Sequence, residues 1–266
     1  TASTNIIESI GKLPGVSTIS TGPAISKPQI RGLGYNRVLT IHDGVRQEGQ
    51  QWGDEHGIEI DESGVQSIEV LKGPASLIYG SDAMAGVINI MSNVPAPQNT
   101  IRSSITSSYF TNNHLRSFSG DLSGNKNGFQ FGIHGSVKSA GDYRNKYDGY
   151  VFNSKFNERS VSGNVGYNNA KGYTHFILSS YALNAGMVEG DRNEDGGFIK
   201  EMPGGIEVTP TKADFLSTTP SVPYQAIVHQ KAVWDNSLRI GGSRLTLNLG
   251  YQQNKRAEYG NPDDTK

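Results

Sequence analysis

The chain has 266 residues, 24 Lys and Arg against 25 Asp and Glu, and no cysteine. A net charge of -1 offers no basic face to displace counterions from phosphates, which argues against nucleic acid as a partner. The missing cysteines exclude disulfide frameworks, thiolate nucleophiles and Cys-ligated metal centres, and no apolar run approaches the roughly 20 residues of a spanning helix.

In chain order, Ile6, Ile7 and Ile10 behind Thr4 or Asn5 predict a short amphipathic helix over 4–12, stopped by Gly11 and Pro14. Strands are predicted at 38–42, 66–71 and 87–91, separated by glycine-rich turns, with a helix beginning at Pro74. This first part reads as a small α+β globule, and Pro95 and Pro97 mark its end, giving domains of 1–95 and 96–266. Beyond Asn99 the pattern changes to period two. Phe129, Phe131, Ile133 and Val137 alternate with Gln130, His134, Ser136 and Lys138, and Leu245, Leu247, Leu249 and Tyr251 alternate with Thr246, Asn248 and Gln252. Seven strands follow, near 100–110, 114–123, 128–140, 155–167, 172–183, 226–239 and 244–256.

Their connections alternate between tight turns (124–128, 168–172, 241–243) and long insertions (141–154, 184–225), with one short exception at Asn112 and Asn113. A membrane barrel has short turns on one side and long loops on the other, and its averaged hydropathy, here -0.48, conceals the apolar face. Two readings of the residues stand at this point. One is a segment of a transmembrane antiparallel β-barrel; the alternative is a soluble β-sandwich adhesion or carbohydrate-binding module with an α+β cap.

Four ordered blocks carry a resemblance. They are Gln29-Ile30-Arg31-Gly32-Leu33-Gly34-Tyr35-Asn36-Arg37-Val38-Leu39, Asp43-Gly44-Val45-Arg46, Ser67-Ile68-Glu69-Val70-Leu71-Lys72-Gly73-Pro74-Ala75-Ser76-Leu77-Ile78-Tyr79-Gly80-Ser81 and Gly86-Val87-Ile88-Asn89-Ile90, preceded by Leu13-Pro14-Gly15-Val16. Together they resemble the plug domain of TonB-dependent outer-membrane receptors. The resemblance implies an α+β plug over 1–95, then about seven of 22 barrel strands, in the bacterial outer membrane. That family's TonB box and first plug strand have no counterpart in these residues, so a portion of a longer receptor is expected. The implied function is active import of a scarce metal-containing nutrient: a ferric siderophore, haem, cobalamin or a metal ion. Implied partners are TonB with its ExbB/ExbD motor, outer-membrane lipid and the metal-chelate ligand. The Leu71-Lys72-Gly73-Pro74 junction resembles the siderophore and cobalamin importers more than the polysaccharide importers.

Candidate sites follow from residue chemistry. The polar stretch 46–57 joins two plug strands, and Arg46, Gln51, Trp52, Asp54, Glu55 and His56 are its candidate ligand contacts. By resemblance, Arg31, Glu69 and Lys72 match plug positions that pair with the barrel wall. Asp191, Asn193 and Asp195 reproduce the first half of an oxygen-ligand calcium loop, but the twelfth position is Met202 where Glu belongs. Possible Ca²⁺ in an outer loop is therefore the only cofactor expected, and none is required. There is no P-loop ending, nucleophile elbow or zincin helix, and no enzyme is expected.

Overall fold

The computed structural model describes residues 5–50, 52–92 and 96–264. Helix α1 (Ile6–Ile10) is shorter than predicted and buries Ile6, Ile7 and Ile10. Asn5 caps it by accepting from the Glu8 amide at 3.0 Å. Strands β1 (Val16–Gly22) and β2 (Ile25–Ile30) then form an antiparallel hairpin that the sequence reading missed. Pro28 within β2 demotes that run as a strand, yet a two-stranded hairpin leaves one flank without a ladder to break.

The next four strands are β3 (Val38–His42), β4 (Val45–Arg46), β5 (Ser67–Lys72) and β6 (Gly86–Met91), in sheet order β4-β3-β6-β5. β3 runs parallel to β6, and β5 antiparallel to it. Where a helix was expected at Pro74, the chain makes a 3₁₀ segment over Pro74–Tyr79 between Gly73 and Gly80, both at positive φ. Ile6, Ile7, Ile30, Ile60, Ile88 and Ile90 share one core. Burying each such side chain contributes about 1.5–3 kcal/mol relative to leaving it exposed.

Seven long strands follow: β7 (Thr100–Phe110), β8 (Leu115–Lys126), β9 (Phe129–Ala140), β12 (Phe156–Asn169), β13 (Gly172–Gly186), β16 (Tyr224–Ile240) and β17 (Ser243–Tyr259). The first long connection carries β10 (Arg144–Asn145) and β11 (Gly149–Tyr150); the second carries β14 (Lys200–Met202), β15 (Ile206–Val208) and helix α2 (Lys212–Leu216). The seven pair antiparallel in chain order. At 11 to 17 residues each, they meet or exceed the roughly 9–11 a membrane strand needs. The short hairpin at Asn112 and Asn113 serves as a strut for the longer loop beside it. Asn112 Oδ1 accepts from the Arg144 amide at 2.6 Å, and the Asn113 carbonyl accepts from the Gly141 amide at 2.9 Å.

The two faces of this sheet are opposite in chemistry. Ile101, Ile105, Phe118, Ile133, Val165 and Leu249 lie exposed on one face, while Gln130, His134, Lys138, Glu158, His229 and Lys231 are buried on the other beneath the α+β domain. A soluble sandwich would bury the apolar face against a second sheet. Among the described residues no second sheet covers it, so the sandwich alternative is overturned and the barrel reading stands.

Candidate functional site

The segment between β4 and β5 meets the polar wall. Over 58–61 apolar and acidic residues alternate: Ile58 and Ile60 enter the plug core, while Glu59 and Asp61 reach the seven-stranded sheet. Lys138 Nζ lies 3.4 Å from Asp61, 2.5 Å from Glu62 and 2.7 Å from Glu158. The carboxylate oxygens of Asp61, Glu62 and Glu158 stand close enough to hold a cation, and the ammonium of Lys138 occupies that role. Asp61 also accepts from Ser136 Oγ at 2.6 Å, and His134 bridges Asp61 at 2.8 Å to Asp121 at 2.7 Å.

The two plug carboxyls respond in opposite directions. Burial works to raise Asp61, but hydrogen bonds from His134, the Lys138 charge and the hydroxyls of Ser136 and Ser63 outweigh it and hold Asp61 well below the usual carboxylate range. Glu62 is pushed up to about 7, first by burial and then by the Glu158 charge, with Lys138 only partly compensating.

A second anchor forms around Glu59. It accepts from His229 Nδ1 at 2.6 Å, from Arg256 at 2.8 Å and from the Asn254 amide. Elsewhere, sheet side chains satisfy plug carbonyls. Lys231 donates to His42 at 3.0 Å, Gln252 to Arg46 at 2.9 Å and Gln225 to Glu55 at 3.0 Å. The His42 ring is held down to about 3 by burial and then by the Lys231 charge. It is therefore neutral at ordinary pH, and its contact with Asp43 is not an ion pair. A cavity of about 50 Å³ among His42, Glu59, Asp61, His134 and His229 leaves polar space large enough for water. Close packing also contributes: Gly250 on β17 admits Val45, whose Cγ1 would lie 2.4 Å from a Cβ at that position.

The loop singled out in the sequence sits beside the end of β16 that follows the second long connection and the adjoining end of β17, next to Gln225 and Glu258. Trp52 is 73 % exposed there. Asp54 and Glu55 are exposed, and Asp54 accepts from the Tyr35 hydroxyl. His56 lies 3.6 Å from Glu258. Buried Lys27 braces the loop from below, donating to the Gly53 carbonyl with its ammonium 4.4 Å from the Tyr35 ring centroid. Arg46 departs from this group: it is committed within the plug to Glu48 at 2.8 Å and to Asp82. Gln51 lies outside the described residues.

Other expected sites are arranged differently. Arg31, Glu69 and Lys72 make no ion pair with the sheet among the described residues. Glu69 is exposed on β5, the plug strand farthest from β4, and Lys72 donates to the Pro14 carbonyl. The pairs to the wall come from Glu59, Asp61 and Glu62 instead, because it is the connection from β4 to β5 that faces the polar strands. In the predicted calcium loop, Asn193 Oδ1 accepts from the Gly197 amide at 2.7 Å, and an antiparallel bridge joins Arg192 to Phe198. This turn satisfies its own backbone, and Asp191 and Asp195 do not gather with a third carboxylate among the described residues.

Comparison with known proteins accords with this geometry. The family model described as TonB-dependent Receptor Plug Domain matches residues 1–87. The iron-regulated outer membrane virulence protein of Vibrio cholerae is 37 % identical over 94 residues, covering 33 % of this chain and 14 % of that protein. A hemin receptor of Yersinia pestis is 40 % identical over 78 residues, covering 29 % of this chain and 11 % of that one. The siderophore receptor PirA from Acinetobacter baumannii superimposes with a TM-score of 0.69 at 18 % identity, over 94 % of this chain and 37 % of its own. The FrpB iron transporter from Neisseria meningitidis does so at 0.70 and 16 %, over 95 % and 37 %. The chain thus spans under two fifths of those structures, and its match covers about a seventh of the Vibrio protein. The first 87 residues thus match the plug-domain model, and the chain as a whole has the fold of the corresponding part of these receptor structures, a plug-like domain followed by antiparallel strands of a β-barrel.

Proposed function

We propose that the protein imports an iron-containing nutrient, haem or a ferric siderophore, across the outer membrane by energised rearrangement of its plug. The observation that carries this is the plug's mode of attachment. It is held to the wall by Glu59, Asp61 and Glu62 on His229, Arg256, His134 and Lys138, and by backbone carbonyls on Lys231, Gln252 and Gln225. Desolvation offsets most of the attraction in such pairs, so they fix register without sealing the plug permanently. Water can take over each partner as the plug moves. An apolar interface of the same size would lose its contacts with no such replacement.

The nutrient class draws on the relatives, which include hemin receptors and a heme/hemopexin utilization protein, and on solved siderophore receptors. On this reading Trp52 and His56 meet ligand in the outer vestibule: Trp52 offers an exposed ring, and His56 an imidazole held, among the described residues, by Gly49 and Glu258. TonB, driven by ExbB/ExbD, supplies the pull. Chemistry on the ligand is not part of the cycle. The test is growth of a deletion strain, complemented with the complete receptor, on haem or ferric siderophore as sole iron source, with and without TonB. Growth independent of the receptor on every iron source would overturn the reading. Unchanged ligand affinity in Trp52→Ala and His56→Ala would remove those two residues from it.

A further inference from the structure

The inner wall of the sheet carries a basic row at the end away from the long connections, where the short turns lie. On β16, Gln225, His229 and Lys231 meet the plug, and the same parity puts Arg239 on the inner face. On β17, Gln252 and Asn254 meet the plug, and their parity puts Arg244 there too. Register sets Arg239 directly opposite Arg244, and the Arg239 amide donates to the carbonyl of Lys171 in the neighbouring turn at 2.7 Å. All three residues are exposed, and none of their side chains has a hydrogen-bond or ion-pair partner among the described residues. Like charges directly opposite each other on a sheet are destabilising. The row therefore costs the fold stability until an anion joins it.

The row stands clear of the plug. Gly44 of the plug packs against Asn248, and Arg244 lies four residues farther along β17, about 14 Å at roughly 3.4 Å per residue. The loop that carries Trp52 and His56 touches Gln225, which is about 45 Å back along β16 from Arg239. Between the row and the plug the wall is aromatic and polar. Tyr173, Ser237 and Thr246 share the next inward row. Tyr173 stacks on His175 with 4.7 Å between ring centroids, and its hydroxyl donates to Asp235 at 3.4 Å. Asp235 is the carboxylate of these three strands nearest the row, four residues from Arg239 and engaged with that hydroxyl. A solute that has passed the plug on this side meets two guanidinium groups and an aromatic ring at the mouth.

We infer that this mouth is an exit station for the imported nutrient, which it binds as an anionic iron chelate. Arg239 and Arg244, with Lys171 beside them, take the carboxylate or phenolate oxygens of the chelate, and Tyr173 carries its flat apolar part. Guanidinium matches carboxylate in a forked, charge-assisted geometry, and the exposed position keeps the hold weak enough for release. The inference rests on the import reading above, and its test separates the two. The probes are haemin, with two carboxylates, and its dimethyl ester, in which both are neutralised. The complete receptor is purified in mild detergent with a contact-quenched fluorophore on Gly242→Cys in the turn, where nothing lies within 4 Å of an added Cβ. Quenching then reports haemin at the mouth and not at the outer loop. Each exposed charged contact contributes up to about fivefold, so Arg239→Ser/Arg244→Ser should bind haemin on the order of tenfold more weakly. Esterification should weaken binding to the native receptor similarly and to the double variant little. Lys126→Ser, on the outward face of β8, should match the native receptor. Absent quenching in the native receptor, equal affinity of native and double variant, or indifference to esterification would overturn the station. Unchanged haemin affinity with slowed growth on haemin would assign the row to an acidic periplasmic protein and overturn it equally. Receptor-dependent growth of the native strain on haemin reads import independently, and heat-modifiable migration shows that the variant is folded.

Discussion

Replacing Lys138 by Met keeps most of the volume and removes the ammonium that, among the described residues, neutralises Asp61, Glu62 and Glu158. Its side chain is 2 % exposed, and the three carboxylates lie 2.5 to 3.4 Å away. At an effective dielectric near 20, a unit pair 3 Å apart is worth about 5 kcal/mol, so the gross attraction lost is large. Desolvation of the lysine, several kcal/mol, is recovered at the same time. Removing one partner of a buried pair costs about 3–5 kcal/mol net, and that is the expected destabilisation of this contact near pH 8. The size should depend on pH in a set direction. Glu62 has its folded value raised from 4.5 to about 7, so the folded state binds a proton the unfolded state has released, and this contribution fades as pH rises from about 4.5 through 7. Without Lys138 the carboxyls are pushed higher still, and a proton can stand in for the ammonium, so Lys138→Met should recover much of the loss by pH 5.5. Hydrogen exchange of the Ser63, Gly64 and Val65 amides, bonded to Asp61 and Glu62, reads local opening directly. The expected acceleration near pH 8, corrected for intrinsic exchange, is on the order of a hundred- to a few-thousand-fold. A change below fivefold, or one equal at pH 8 and pH 5.5, would refute the reasoning.

Three further outcomes are expected. Glu62→Gln should flatten the pH dependence of plug docking between pH 5 and 7, measured as urea sensitivity of the plug in the complete receptor. Gly86→Ala forces φ +154 on an L-residue and puts a methyl 2.6 Å from the Leu71 carbonyl, so the β5–β6 pair should lose about 2–4 kcal/mol, read as a lowered plug unfolding midpoint. Lys155→Met leaves Asp142, fully buried and 3.2 Å from the Lys155 ammonium, without its cation; Asp142 is already raised to about 6 by burial. The 141–155 loop should then become protease-sensitive while the strands stay intact, with no change in cleavage counting against the pair.

Much of the fold was legible because membrane strands have a strict period. The runs Phe129 to Val137 and Leu245 to Tyr251 declare two faces and seven strands with ends close to those observed. The plug hairpin β1–β2 was not legible, since Pro28 and the Ser and Thr positions of β1 carry no strong alternation. The docking residues were missed for a different reason. Ile58-Glu59-Ile60-Asp61 alternates as clearly as any strand, but it is a connecting segment, and no local signal says which element its acidic face will meet.

By itself the sequence determined the two-part organisation, the polar and apolar faces of the sheet and the plug signature, because period and turn chemistry are local properties. Only the tertiary structure decided which charges meet. Glu59 and His229 are 170 positions apart, and Asp61 and Lys138 are 77 apart. Whether an acidic residue is solvated or clamped depends on which strand the plug rests against, and no local pattern carries that information.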